Sequence, residues 1–175
     1  MKVTYYVATS VDGYIAKLDG DVSWLDTLGI SPEETGYEEF LSSVDGLVMG
    51  RNTYEFIYNY GKWPYNNIPT WVCTSKSLDV IEGCQLQEGK NLNSVIKEAK
   101  SLGIEHLWLV GGGKLAASFI NDKALTHLSI SHMPIILGSG IKLFGDLKAP
   151  VKIKQQSAHS LPSGFTQLEF EVVYD

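Results

Sequence analysis

Twice along this chain a short apolar run ends in glycine and gives way at once to a helix-like pattern. Leu47-Val48-Met49-Gly50 precedes Arg51-Asn52-Thr53, and Leu107-Trp108-Leu109-Val110 precedes Gly111-Gly112-Gly113-Lys114. Such runs read as strands buried on both faces, and a helix directly after a strand carries the chain back across the sheet. Strands joined that way lie parallel between helical layers. The chain is thereby confined to the α/β class, with a mostly parallel central sheet flanked by helices.

The other segments fit around that frame. Val3 to Ala8 is β-branched and aromatic and reads as the first strand, closed by the turn Ser10-Val11-Asp12-Gly13. Residues 14–30 have no clean period and read as a long irregular loop. Ser31-Pro32-Glu33-Glu34 reads as a helix start: Ser31 as N-cap, Pro32 at the first position, Glu34 at capping-box spacing. That helix should turn Tyr37, Phe40 and Leu41 inward and stop near Ser43. A further strand runs from Thr70 to Cys73, and Leu86 closes a short one. Asn91 or Asn93 caps a helix reaching Leu102, with Gly103 as its stop. Leu125 to Met133 reads as a strand, and Val151–His159 with Thr166–Tyr174 as a C-terminal antiparallel hairpin around Leu161-Pro162-Ser163-Gly164. With 175 residues and no repeat or linker, one domain over 1–175 is expected.

Charge narrows the partners. The net charge is −6 and there is no long basic run, which argues against nucleic acid. No apolar stretch reaches ~18 residues, so no membrane span is expected. Met1 leads straight into the first strand without a signal-like segment, so the cytoplasm is the expected location. Cys73 reads as a buried thiol; a bridge to Cys84 is the alternative, disfavoured inside a cell. The four histidines are scattered without metal-ligand spacing, and no metal is expected.

A negatively charged chain that binds an anion needs a local site for it. Arg51 is the only arginine, and it stands behind Gly50 at a helix start. Free N–H groups and the positive dipole end of a helix receive phosphate there, and a guanidinium adds paired hydrogen bonds that lysine cannot make. The alternative is an ordinary surface arginine. Gly111-Gly112-Gly113-Lys114 is a second cradle, although it matches neither the dinucleotide fingerprint nor the P-loop. Thr74-Ser75-Lys76-Ser77, after another strand, suits phosphate oxygens or any polar turn. Two phosphate-friendly helix starts beside one sheet suit a dinucleotide, and a 2′-phosphate would give Arg51 its partner.

Ala8 with Ser10-Val11-Asp12-Gly13, then Met49-Gly50-Arg51-Asn52-Thr53, then Val110-Gly111-Gly112-Gly113, then Pro134 to Gly140 with Leu143-Phe144, resemble the dihydrofolate reductase superfamily. Within it the chain is most similar to stand-alone bacterial relatives of the riboflavin-biosynthesis reductase domain. The resemblance covers essentially the whole chain. It implies a dihydrofolate reductase-like fold and NADPH as hydride donor. By resemblance Arg51 meets the 2′-phosphate, Thr53 the pyrophosphate, and Thr74, Ser75 and Lys76 the adenosine phosphate. Gly50, Val110, Gly111, Gly112, Gly113, Lys114 and Leu115 flank the cofactor, with Ala8 and Ile15 on the nicotinamide side. Residues 16–23 match the mobile loop of that family, and Trp24 stands beside the substrate.

The family's carboxylate on the first helix has no gap-free match. Glu34 lies nearest by its distance from Gly50, and also reads as a capping residue. Asp12 reads either as a turn residue or as a polar group of the substrate cavity. Asp12, Glu34 and Trp24 are the catalytic candidates. The expected activity is hydride transfer to a flat heterocycle of the pterin, folate or ribosylaminopyrimidine class. The rival is a non-catalytic nucleotide- or pterin-binding protein, and a nucleotide-hydrolysing enzyme is a weaker third. A homodimer through the aromatic C-terminal hairpin is expected.

Overall fold

A computed structural model describes residues 1–87 and 91–175. In chain order its elements are β1 (Lys2–Ser10), β2 (Tyr14–Ala16), α1 (Tyr37–Ser42), β3 (Gly46–Gly50), α2 (Arg51–Tyr60), β4 (Pro69–Cys73) and β5 (Gln85–Gln87). They continue with α3 (Leu92–Ser101), β6 (His106–Gly111), α4 (Gly113–Asn121), β7 (His127–Met133), β8 (Ile141–Lys142), β9 (Lys152–Ser160) and β10 (Thr166–Val173). The eight-stranded sheet runs β5-β4-β3-β6-β1-β7-β10-β9. Its first six strands are parallel, and β10 is antiparallel to both β7 and β9. A small antiparallel ladder joins β2 to β8.

Alternation along the strands sorts side chains between two helical layers. Leu107 and Leu109 of β6 join Val3 and Tyr5 of β1 in a core closed by Val95 and Ala99 of α3 and Ala116, Phe119 and Ile120 of α4. Trp108 and Met49 point the other way, toward Tyr54 and Ile57 of α2. Phe40 of α1 stacks on Tyr6 at 4.3 Å and meets Trp108 edge-on at 5.3 Å. Trp63, Trp71 and Trp108 are all core residues.

Helix ends obey local chemistry. Asn91, not Asn93, caps α3: its side chain accepts from Ser94 N–H at 3.0 Å while Ser94 Oγ accepts from Asn91 N–H. Gly61 closes α2 at φ +79°, where any other residue would be strained.

The expected helix from Ser31 is different in the structure. Pro32–Thr35 is a single 3-10 turn, Gly36 then takes φ +66°, and α1 begins only at Tyr37. A left-handed glycine cannot continue a right-handed helix. Ser31 makes no side-chain cap, so the capping box with Glu34 does not form. The expected irregular loop 14–30 holds β2 and a 3-10 turn at Asp26–Leu28. Three residues paired with a segment over a hundred positions away leave no periodic trace.

The C-terminal hairpin forms as expected, but its aromatics turn inward. Phe165 is buried, and Phe170 and Tyr174 pack on the α3–α4 core, with Tyr174 Oη donating to Leu125 O at 2.7 Å. Phe170 and Tyr174 stay half-exposed at the hairpin surface. Cys73 and Cys84 are free thiols, each pushed up to about 11 by burial. Among the described residues no helix is long and apolar enough to cross a membrane.

Candidate functional site

Three expected segments meet at one edge of the sheet. β3 lies between β4 and β6, with Gly50 opposite Cys73 and Met49 opposite Gly111. Neighbouring strands are about 4.8 Å apart, so the start of α2, the turn after β4 and the glycine triplet are side by side. Arg51 Nη1 donates to Ser77 O at 3.2 Å, and Arg51 Nε pairs with Glu55 at 2.6 Å. These two contacts hold the guanidinium across the tips of β3 and β4 and leave other N–H donors free. Thr74 Oγ1 accepts from Lys76 N–H at 3.1 Å, and Ser75 and Lys76 are exposed on that turn. The first-turn N–H groups of α2 and α4 have no partner within their helices.

The three glycines do different things. A methyl group on Gly111 would lie 3.2 Å from Thr53 Oγ1, tighter than ordinary contact, so the triplet and the start of α2 touch. At Gly112 the only neighbour is the same oxygen, at 3.9 Å, and the space above is open. The Gly111–Gly112 peptide is cis. Gly113 instead packs inward: a methyl group there would overlap Lys142 O and reach Leu143 O at 3.0 Å. Gly145 N–H also donates to Gly113 O at 2.9 Å. Lys114 is exposed, Val110 faces the α1–α2 side, and Leu115 packs against the α3–α4 core. Leu115 remains half-exposed beside the glycine triplet.

Asp12 ties two loops together. Its carboxylate accepts from Ser10 Oγ at 2.6 Å, Leu137 N–H at 3.1 Å and Gly138 N–H at 2.7 Å. The Ser10 hydroxyl, then the two backbone donors, hold this carboxyl below its ordinary range. The geometry supports the turn reading of Asp12 over the catalytic one. Because the folded value is depressed, the clamp is intact above the ordinary aspartate value, about 3.9, and weakens as pH falls through the folded value. In Asp12→Ala, hydrogen-exchange protection at Leu137 and Gly138 should fall while the sheet keeps its protection. Unchanged protection at those two amides would rule the clamp out.

Ala8 is half-buried near the end of β1 and packs beside Trp24, Met133 and Phe165. Ile15 is half-buried on β2 and belongs to none of the three apolar clusters. The segment after it is pinned by Lys17 and Asp21, 2.7 Å apart. Trp24, expected beside a substrate, is only 3% exposed, and among the described residues its indole N–H has no acceptor. Glu34 is exposed on the 3-10 turn, and among the described residues no hydrogen bond holds its side chain in a cleft.

Sequence reading missed a polar network on the same sheet face as Ala8. Ser131 Oγ donates to Gln167 Oε1 at 2.6 Å, and Ser129 Oγ to Glu169 Oε1 at 2.7 Å. Gln167 Nε2 donates to Ser129 Oγ at 2.8 Å and to Glu169 Oε1 at 3.0 Å. The signal was available: serine alternates with apolar residues in β7, and Gln167 and Glu169 do so in β10. A separate concavity of about 460 Å³ opens along the outer stripe of α4, lined by Lys114, Ser118, Asn121 and Lys142. It is not formed by the strand tips.

A family model described as the RibD C-terminal domain matches residues 1–166. The chain belongs to the RibD C-terminal domain family. Among curated relatives, the uncharacterized protein YwjB of Bacillus subtilis (strain 168) is 32% identical over 157 residues, spanning 87% of this chain and 88% of that protein. The dihydrofolate reductase HdrB of Haloferax volcanii is 28% identical over 131 residues, 72% of this chain and 65% of that one. Among solved structures, a protein of Shewanella sp. PV-4 provisionally assigned to riboflavin biosynthesis superposes with a TM-score of 0.86 at 29% identity, covering 99% of this chain and all of the other. RibD of Acinetobacter baumannii superposes at 0.74 over 98% of this chain but 58% of its own length, and at 13% identity shares the fold alone. RibD C-terminal domains thus share with this chain the sheet that gathers Arg51, Thr53 and Gly111 at one edge.

Proposed function

We propose that this chain is an NADPH-dependent reductase that transfers hydride to a C=N or C=O bond of a flat heterocycle. The reading is supported by membership of the RibD C-terminal domain family and by a relative named as a dihydrofolate reductase. One observation carries it: the register that sets Met49 opposite Gly111, so that the helix start bearing the lone arginine lies beside the glycine triplet, with Thr53 against Gly111.

The residues present fit a phosphorylated dinucleotide. Open space above Gly112 admits a close approach, and two helix starts present first-turn N–H groups, which have no partner within their helices, to phosphate. Arg51, steadied by Glu55 and Ser77 O, would hold the 2′-phosphate, and Ser75 and Lys76 lie on the neighbouring turn. Thr53 would donate to the pyrophosphate. Reduced nicotinamide supplies the hydride when bound. Ala8 and Ile15 would fix its ring, and the Asp12 clamp would keep the surrounding loops closed to water. Candidate substrates are pterins, folates and ribosylaminopyrimidines.

Fluorescence titration tests the reading. Wild type should bind NADPH more tightly than NADH. Arg51→Ala should weaken NADPH by about ten- to a hundred-fold, ~1.5–3 kcal/mol, and leave NADH unchanged. Equal losses for both would refute the role of Arg51. A non-catalytic binding protein is the second reading, favoured by the exposure of Glu34. Tight NADPH binding with no oxidation over a panel of flat imines would select it. The homodimer expected from the sequence is part of the same proposal, and sedimentation tests it.

A further inference from the structure

We propose that Glu169, on β10, is the carboxylate that receives the substrate, and that the substrate presents a ring N–H beside an amino group. The inference rests on the reductase reading and names the residue that the first helix does not supply.

Register arranges one face of the sheet in rows. Tyr6, Ser129 and Glu169 form one row across β1, β7 and β10, and Ala8, Ser131 and Gln167 form the next. Ser10 and Met133 follow, and Met133 packs in the Trp24 cluster. Tyr6 Oη donates to Thr35 O at 3.0 Å, which brings the 3-10 turn before α1 against the first row. The cluster beneath α1 and α2 takes in no residue of β7, β9 or β10. Among the described residues, then, this face has a wall on the α1 side, a wall at Trp24, and a polar floor without a helix above it.

The floor is ordered. Ser129 and Ser131 are buried at 3% and 2% exposure, while Gln167 and Glu169 are half-exposed above them. Ser131 fixes the amide of Gln167, whose N–H groups then reach Ser129 and Glu169. Glu169 Oε1 is occupied by two donors; among the described residues no hydrogen bond is made to Oε2. A carboxylate with one oxygen anchored and the other free suits paired N–H donors. A second, independent observation lies on the same face: the buried indole N–H of Trp24 lacks an acceptor. Buried donors without partners are rare, and a bound polar group is one reason to keep one. A flat heterocycle with an amidine-type edge, such as a 2-aminopyrimidin-4-one, brings the paired N–H donors that the free oxygen of Glu169 lacks.

The test uses the full chain saturated with NADPH and the probe 2,4-diamino-6,7-dimethylpteridine. NADPH binding is measured first; if wild type does not bind it, the reductase reading fails on its own account. With NADPH bound, wild type should take up the pteridine, and its absorption spectrum should be that of the protonated form above the free probe's own pKa. Glu169→Gln keeps the shape and the bond from Ser129. It should weaken the pteridine by about ten- to a hundred-fold with NADPH affinity unchanged, and Glu34→Gln should match wild type. Wild-type affinity in Glu169→Gln, a neutral bound probe, or a wild type that binds NADPH but no pteridine would each overturn the proposal. So would a variant whose sedimentation changes while its pteridine affinity does not, since the face would then be an interface between copies.

Discussion

Gly113→Ala is expected to destabilise the protein by about 3 kcal/mol, lowering the melting temperature by roughly 6–12 °C for a chain of this size. The added methyl group has nowhere to go. It would overlap a backbone oxygen, Lys142 O, with Leu143 O 3.0 Å away on the same side. Backbone cannot swing aside as a side chain can, and this backbone is held. Leu143 N–H donates to Gly13 O at 2.9 Å, and Gly145 N–H donates to Gly113 O. Gly112→Ala supplies the contrast, since its methyl group would meet only Thr53 Oγ1 at 3.9 Å. That variant should melt close to wild type and lose NADPH instead. Circular dichroism melts of the two proteins decide the matter; a Gly113→Ala melt indistinguishable from wild type would show the packing to be wrong.

A comparable loss is expected from Tyr5→Ala, about 3–5 kcal/mol by the precedent of large aromatic truncations in cores. Tyr5 is fully buried at the centre of β1, edge-on to Phe144 at 5.9 Å, and its hydroxyl donates to Leu143 O at 3.2 Å. Tyr5→Phe separates the two contributions, because it keeps the ring and orphans only the carbonyl, at about 1–2 kcal/mol. Burial holds the Tyr5 phenol far above its ordinary value. Its contribution is therefore complete below about pH 10, the unfolded value, and is lost as pH rises toward the folded one. Urea titrations of wild type should show stability falling above that pH, and Tyr5→Phe should flatten the fall. A variant with the same alkaline slope would assign the effect to other tyrosines.

Much of this was legible in the order of residues. The strands ending at Gly50 and Gly111 were visible because a parallel sheet buries both faces, leaving uninterrupted apolar runs. The starts of α2 and α4 followed from the glycines. What stayed hidden was non-local. The pairing of β2 with β8 joins segments too short to show a period, and Gly36 broke a helix whose apolar spacing ran on through it. At the site, the cradle residues were found because they cluster in sequence. Ser129, Ser131, Gln167 and Glu169 were missed because antiparallel pairing of β7 with β10 assembles them from two separate strands. The capping reading of Glu34 failed because spacing records which residues can meet, not whether the turn between them closes.

The strand pair β2 and β8 has a mechanical meaning. One end of the short strap from Gly140 to Gly145 leans on Ala16, and the other end wedges against the first turn of α4. If the helix start holds a ligand as proposed, its occupancy is expected to be linked through this strap to order in the flap carrying Ile15. Slowed amide exchange at β2 on adding NADPH would report binding at a helix start that β2 itself need not touch; unchanged exchange would count against the link.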